Sequence, residues 1–263
     1  MSIFKKPEER TPKTTIAMMI YGMPSVGKTT LACSAPNSVI IDFENGLDRV
    51  NFAHQIPSVN PTSWEEVNAA IKDVRDHPEI ESVVVDSVDR LMDAALEHVR
   101  KINENLFQSD GTPTLKAYGV RKTLYQSFVK QLRDMGRNII YVAHCIEDKK
   151  KVGRDEVTYY RPNISKTNAA DITTDLDMEG FMFYYNGTRV ITFDPWGDIE
   201  CKNSCNLHGK WDPNLRMYMP IEIPVIINSD GYTTAANDWL NRFFAFNTRR
   251  VQENFAKMKG ESK

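Results

Sequence analysis

The run Gly22-Met23-Pro24-Ser25-Val26-Gly27-Lys28-Thr29 narrows the folds open to this chain more than any other stretch. It fits G-x-x-x-x-G-K-[ST], follows the apolar run Thr15-Ile16-Ala17-Met18-Met19-Ile20-Tyr21, and opens into a helical segment. A strand, a glycine-rich turn and a helix start in that order make a phosphate-binding loop. Its main-chain N–H groups surround phosphate oxygens, and the helix adds its positive end. ATP is the expected ligand, with Lys28 reaching the β and γ phosphates and the Thr29 hydroxyl binding Mg²⁺. The nucleotide-binding residues are then Gly22, Pro24, Ser25, Val26, Gly27, Lys28, Thr29 and Thr30.

Further apolar runs continue the pattern: Val39-Ile40-Ile41-Asp42, Ile80 to Asp86, and Asn138-Ile139-Ile140-Tyr141-Val142-Ala143-His144. Uninterrupted apolar strands belong to a parallel sheet buried on both faces. Helical stripes separate them. Ser63-Trp64-Glu65-Glu66 is a capping box leading into Trp64, Val67, Ile71 and Val74. Leu91, Ala95, Val99 and Ile102 form a second stripe, and Val120, Leu124, Phe128, Leu132 and Met135 a third. Alternating strands and amphipathic helices predict an α/β doubly wound domain. After His144 the character becomes polar and mixed, until Phe181–Tyr185, Asn186-Gly187 and Thr188–Phe193 announce a late β-hairpin. Pro220 to Asn228 suggests one more strand, and Asn237 onward a C-terminal helix fading into charge. The expected division is an N-terminal arm over 1–14, one ATPase domain over 15–245 (core 15–205, addition 206–245), and a charged tail over 246–263.

With 263 residues and a formal net charge of −2, the chain is no general nucleic-acid sponge, so any such binding must come from local patches. No apolar run approaches a membrane span, and Met1–Arg10 lacks a secretory pattern, so a cytoplasmic protein is expected. The four cysteines read as free thiols. Cys201-x3-Cys205-x2-His208 lacks a well-spaced fourth ligand for zinc.

Chemistry at the strand ends follows from the phosphate loop. Asp86 closes Val83-Val84-Val85 and stands where a Walker B carboxylate holds magnesium through its water shell. Asp42-Phe43-Glu44 ends the second strand. Ligands gather at the carboxyl ends of an open sheet, which places Glu44 to polarise water against the γ phosphate, with Asp42 as the competing carboxylate. His144 ends the fourth strand, where a polar group can face the γ phosphate. Asp89 reads as a helix-start charge.

On these residues, with Thr30-Leu31, Ser87 and Ala117-Tyr118-Gly119, the chain resembles the RecA-like P-loop ATPases. More narrowly it resembles phage nucleotide-binding proteins of the AAA family that carry only a RecA core, some of them single-strand annealing or recombination proteins. The resemblance spans roughly residues 15–205. It implies Glu44 as catalytic base, Asp86 as Walker B acid, His144 as polar sensor, and a sensor strand between the P-loop and Walker B strands. It also implies a homo-oligomer whose site is completed by a neighbour's basic residue. Lys202 sits at about that place, with Arg189 in reserve.

Two loops are candidates for single-stranded DNA. One is Leu106 to Lys116. The other begins at Glu147 and carries Lys149, Lys150, Lys151, Arg154, Tyr159, Tyr160 and Arg161. Basic groups track phosphates and aromatic rings stack bases. Glu147, Asp148, Asp155 and Glu156 dilute that patch, and the resemblance is what tips the reading towards DNA. Two alternatives stay open: a small-molecule P-loop kinase with Arg154 and Arg161 in a lid, and an ATP-gated assembly module with little turnover. A GTPase is disfavoured, because Asn-Lys-x-Asp is missing.

Overall fold

The computed structural model describes residues 4–153, 155–164, 173–227, 233–235 and 238–260. Its parallel strands are β1 (Ala17–Gly22), β2 (Ser38–Asp42), β3 (Ser58–Val59), β4 (Ser82–Asp86), β5 (Asn138–Val152), and, after the antiparallel β6 (Asp155–Pro162), β7 (Met178–Tyr185). β8 (Thr188–Thr192), β9 (Lys202–Asn203), β10 (Trp211–Asp212), β11 (Met217–Tyr218), β12 (Ile221–Glu222), β13 (Val225–Ile227) and β14 (Thr233–Ala235) complete the strands. The helices are α1 (Lys28–Ala32), α2 (Trp64–Asp76), α3 (Val88–Ile102), α4 (Leu115–Asp134) and α5 (Trp239–Lys259).

The main sheet runs β12-β8-β7-β1-β5-β4-β2-β3, with β6 on β5 and β9 on β7. β7, β1, β5, β4, β2 and β3 are parallel neighbours, and the α/β expectation holds. β5 lies between the phosphate-loop strand β1 and β4, the order the resemblance implied.

Strand residues alternate between two cores. Met18, Ile20, Val84, Ile140 and Val142 join one cluster with Leu31 of α1 and Trp239, Leu240 and Phe244 of α5. Met19, Tyr21, Val83, Val85, Ile139 and Tyr141 join the other, under α2, α3 and α4. Period-two side chains buried on both faces require helices on both sides, and the sequence supplies them. Ser63 Oγ accepts from Glu66 N and starts α2, whose Trp64, Val67, Ile71 and Val74 are at most 5% exposed. Each such side chain contributes about 1.5–3 kcal/mol of burial. Ile102 departs from its expected stripe. It is 57% exposed, because α3 ends there at Asn103.

Two expectations need correction. β5 does not stop at His144 but runs on to Val152 and pairs with β6 from Cys145↔Pro162 to Val152↔Asp155. Cross-strand pairing keeps this polar stretch extended, so the region after His144 is a hairpin arm, not a loop. The expected tail beyond 246 is helical to Lys259. Asn247 donates to the Thr14 carbonyl and Arg250 to those of Cys205 and Asn206, pinning α5 to the body. No described helix is long and apolar enough to cross a membrane.

Glu179 on β7 is 2% exposed, and Oε1 has no hydrogen-bond partner among the described residues. Burial, helped by the charge of Glu200, pushes its carboxyl up to about 8 from an ordinary 4.5. Between those values the folded chain keeps a proton that the unfolded chain has lost. Stability from this group is therefore full below the ordinary value and declines as pH rises to about 8. Glu179→Gln is expected to remove most of that decline, on the order of 3 kcal/mol between pH 5 and pH 8. Urea unfolding of both chains at the two pH values measures it, and parallel declines would refute it.

Candidate active site

The phosphate loop leaves β1 at Gly22, which lies beside Met182 on β7 and His144 on β5. A Cβ on Gly22 would collide with the Met182 carbonyl oxygen, so only glycine lets the chain turn this close to β7. Ser25 (φ 65°) and Gly27 (φ 92°) take left-handed conformations that curl the loop before α1 begins at Lys28. Lys28 is 8% exposed, and its ammonium donates to the carbonyls of Gly22 and Met23, each at 3.0 Å. Burial lowers its pKa, while Asp86 and Glu44 oppose the shift.

Thr29 Oγ1 donates to Asp86 Oδ2 at 2.6 Å. Asp86 ends β4 and is pushed up to about 6 by burial, against the Thr29 hydrogen bond and the charge of Lys28. A hydroxyl and a carboxylate converging beside the loop are hard oxygen donors, which suits Mg²⁺ with the rest of its shell from water and phosphate. Lys28, Thr29, Asp86, Glu44 and His144 border one cavity of about 550 Å³, enough for a nucleotide's phosphates.

The two carboxylates at the end of β2 have different surroundings. Asp42 is 1% exposed and accepts from three amides: Glu44 N (3.0 Å), Gly46 N (3.1 Å) and Leu47 N (2.8 Å). Its lone pairs are engaged in folding the turn. Glu44 borders the cavity, and its Oε1 accepts from Ser87 Oγ at 2.7 Å. Arg90 Nε lies 3.5 Å from that oxygen and His144 Nδ1 lies 3.6 Å from it.

His144 Nδ1 sits 2.9 Å from Asp89 Oδ2. A carboxylate only accepts, so Nδ1 carries the proton and the ring is oriented by Asp89. Asp89, read from sequence as a helix-start charge, is thus part of the site. Ser87 stands at the N-cap of α3 but makes no side-chain cap bond, and its hydroxyl turns to Glu44 instead. The spacing Asp86-Ser87-x-Asp89 at a strand-to-helix junction was the available signal. Glu44, Asp89 and His144 bring one atom each within 4.8 Å of one another. The hydrogen bond between His144 and Asp89 and the nitrogen donor make this a polar network and a poor Mg²⁺ shell.

The remaining candidates are spread over the later strands. Lys202 pairs with Glu179 along β7, three residues before the Met182 that flanks the loop, and its ammonium donates to the carbonyls of Thr173 (2.8 Å) and Thr174 (3.3 Å). Arg189, held in reserve, borders the cavity. Along the β5–β6 arm, Lys149 and Lys151 share one face while Lys150 occupies the other. Lys149 pairs with Glu156 at 3.2 Å, and Lys150 Nζ sits 4.8 Å from the Tyr159 ring centre. Arg161 is unsuited to an open basic patch. Its Nε lies 2.6 Å from Asp148 Oδ2, and another guanidinium nitrogen donates to two carbonyls. Tyr160 stacks on Phe181 and is tied to Asp198 and Glu200 through its backbone. Arg154 lies outside the described residues. Cys201, Cys205 and His208 do not gather as ligands. The thiols are free, and His208 Nδ1 bonds Asp194 at 2.8 Å.

What folds around this cavity is a P-loop NTPase domain, built to bind a nucleotide at the end of a parallel sheet. A family model described as an AAA domain (AAA_24) matches residues 14–205, and the chain belongs to that family. No curated protein matches it.

Proposed function

We propose that this chain is a Mg²⁺-dependent, RecA-like ATPase that works as a homo-oligomer on single-stranded DNA, in phage-type recombination, annealing or repair. The observation that carries hydrolysis is Glu44. It is a carboxylate at the wall of the phosphate-loop cavity, accepting from one hydroxyl with Arg90 and His144 within 3.6 Å, while its neighbour Asp42 is occupied by three amides.

In this reading Lys28 exchanges the carbonyls of Gly22 and Met23 for phosphate oxygens, and the loop amides hold the β phosphate. Thr29 and Asp86 would hold Mg²⁺, which would supply positive charge to the phosphate oxygens. Glu44 takes the proton of a water as its oxygen bonds to the γ phosphorus and the bond to ADP breaks. His144, oriented by Asp89, stands beside Glu44 and senses the change. A kinase lid built on Arg161 is disfavoured, since that guanidinium is bound to Asp148.

The DNA reading is supported by β5 itself, which passes the cavity at His144 and goes on to carry Lys149, Lys150 and Lys151 on an arm beyond the sheet. Phosphate release measured with and without single-stranded DNA tests it, and stimulation by DNA is the expected result. Replacing the three lysines with alanine is expected to weaken binding and reduce its log–log salt slope by about 2, at roughly 0.7 per phosphate contact. Turnover indifferent to DNA and no detectable binding would rule the partner out, and unchanged binding by the triple variant would rule out the arm.

A further inference from the structure

The structure assigns Arg189 a role within its own chain: its guanidinium is a cis ligand for the phosphates of the nucleotide bound at Gly22–Thr29. This deepens the ATPase reading and rests on it.

Arg189 is opposite Tyr184 across the β7–β8 hairpin. Asn186 (φ 50°) and Gly187 (φ 79°) close that hairpin in left-handed conformations, which suit a tight two-residue turn. The Tyr184 hydroxyl accepts from Arg189 Nε at 3.1 Å and from Nη2 at 2.9 Å. One edge of the guanidinium is therefore held by the tyrosine. Its flat face lies over the phosphate loop: a Cβ built on Gly27 would lie 3.3 Å from Nη1, 3.5 Å from Cζ and 3.6 Å from Nε. Arg189 also borders the cavity that Lys28, Thr29 and Thr30 line. No carboxylate pairs with it among the described residues. A planar cation fixed along one edge and open along the other matches the oxygens of a phosphate group. Gly27 belongs to the loop that surrounds those oxygens, so a guanidinium packed over it at the cavity wall stands beside phosphate and not the base.

Calorimetry with ADP and with inorganic pyrophosphate tests this, together with a turnover assay on mixed variants. Arg189→Ala is expected to weaken both ligands by about 10- to 100-fold, the range for a hydrogen bond to a charged group. Arg189→Lys keeps the charge and recovers part of the loss. Tyr184→Phe leaves the arginine in place without its anchor and weakens both ligands by a smaller factor, which keeps the test alive if Arg189→Ala fails to fold. An equal mixture of Arg189→Ala and Lys28→Ala chains is expected to turn over no faster than its Arg189→Ala chains do alone, since neither contains a whole site. Restored turnover in the mixture would mean that Arg189 serves a neighbouring subunit. Loss of ADP with pyrophosphate unaffected would move its contact to the nucleoside. Either result overturns the inference, as does unchanged binding of both ligands by Arg189→Ala. If Lys28→Ala binds both ligands like the unmodified chain, the phosphate-loop reading itself has failed. If Lys28→Ala loses them and Arg189→Ala does not, only the cis arginine falls.

Discussion

Replacing Glu44 with glutamine is expected to leave ATP bound and to slow its hydrolysis by about 10²–10⁴-fold, the range for loss of a positioned general base. Glutamine keeps the size of the side chain and an oxygen for the Ser87 hydroxyl, so the geometry of the wall survives while the proton acceptor is lost. Equilibrium binding of ATP and single-turnover phosphate release separate the two effects. Asp42→Asn is the informative control. Asp42 accepts from the amides of Glu44, Gly46 and Leu47, so its substitution loosens the turn that presents Glu44. It is expected to lower stability by about 1–3 kcal/mol, as one of its oxygens becomes an amide donor facing an N–H. If Asp42→Asn alone abolished turnover in a chain that melts normally, and Glu44→Gln were near normal, the base would be Asp42.

Lys28→Ala is expected to reduce kcat/KM for ATP by about 10²–10³-fold or more, the loss seen when one preorganised donor to a developing charge is removed. Two features make this lysine hard to replace. It is buried with its ammonium 3.0 Å from both the Gly22 and Met23 carbonyls, so it already lies within the loop. Its truncation also leaves those carbonyls without that donor. ATP titration and steady-state turnover check the expectation, and unchanged values for both would remove the phosphate loop from the mechanism.

The architecture was largely legible in the sequence, because its signals are local and repeated. Apolar runs such as Met18–Tyr21 and Val83–Val85 have no polar face, which leaves only a sheet covered on both sides. Ser63 and Glu66 mark the start of α2 within four letters. The loop at Gly22–Thr29 is likewise a contiguous pattern. What could not be read are contacts between elements distant in the chain. Asp89 meets His144 across 55 positions, and Arg189 meets Gly27 only because β7 lies beside β1. Lys202 shows the converse. Its position after the late hairpin suggested a cation supplied to a neighbour's site; within its own chain, pairing with Glu179 sets it partway down β7, with its ammonium on two carbonyls. The β5–β6 arm was read as a loop because its lysines hide the alternation. Opposite strands, not a hydrophobic face, keep it extended.

That arm has a mechanical meaning. From His144 to Val152, eight residues of uninterrupted strand span about 26 Å at 3.3 Å each. Below His144 the strand is clamped between β1 and β4, and above it β6 alone is its partner. Such a member resembles a cantilever whose root extends to Glu147, because Tyr160 opposite it is bonded to Asp198 and Glu200. A small rotation at that root is lengthened, by leverage alone, into a larger displacement at the lysines.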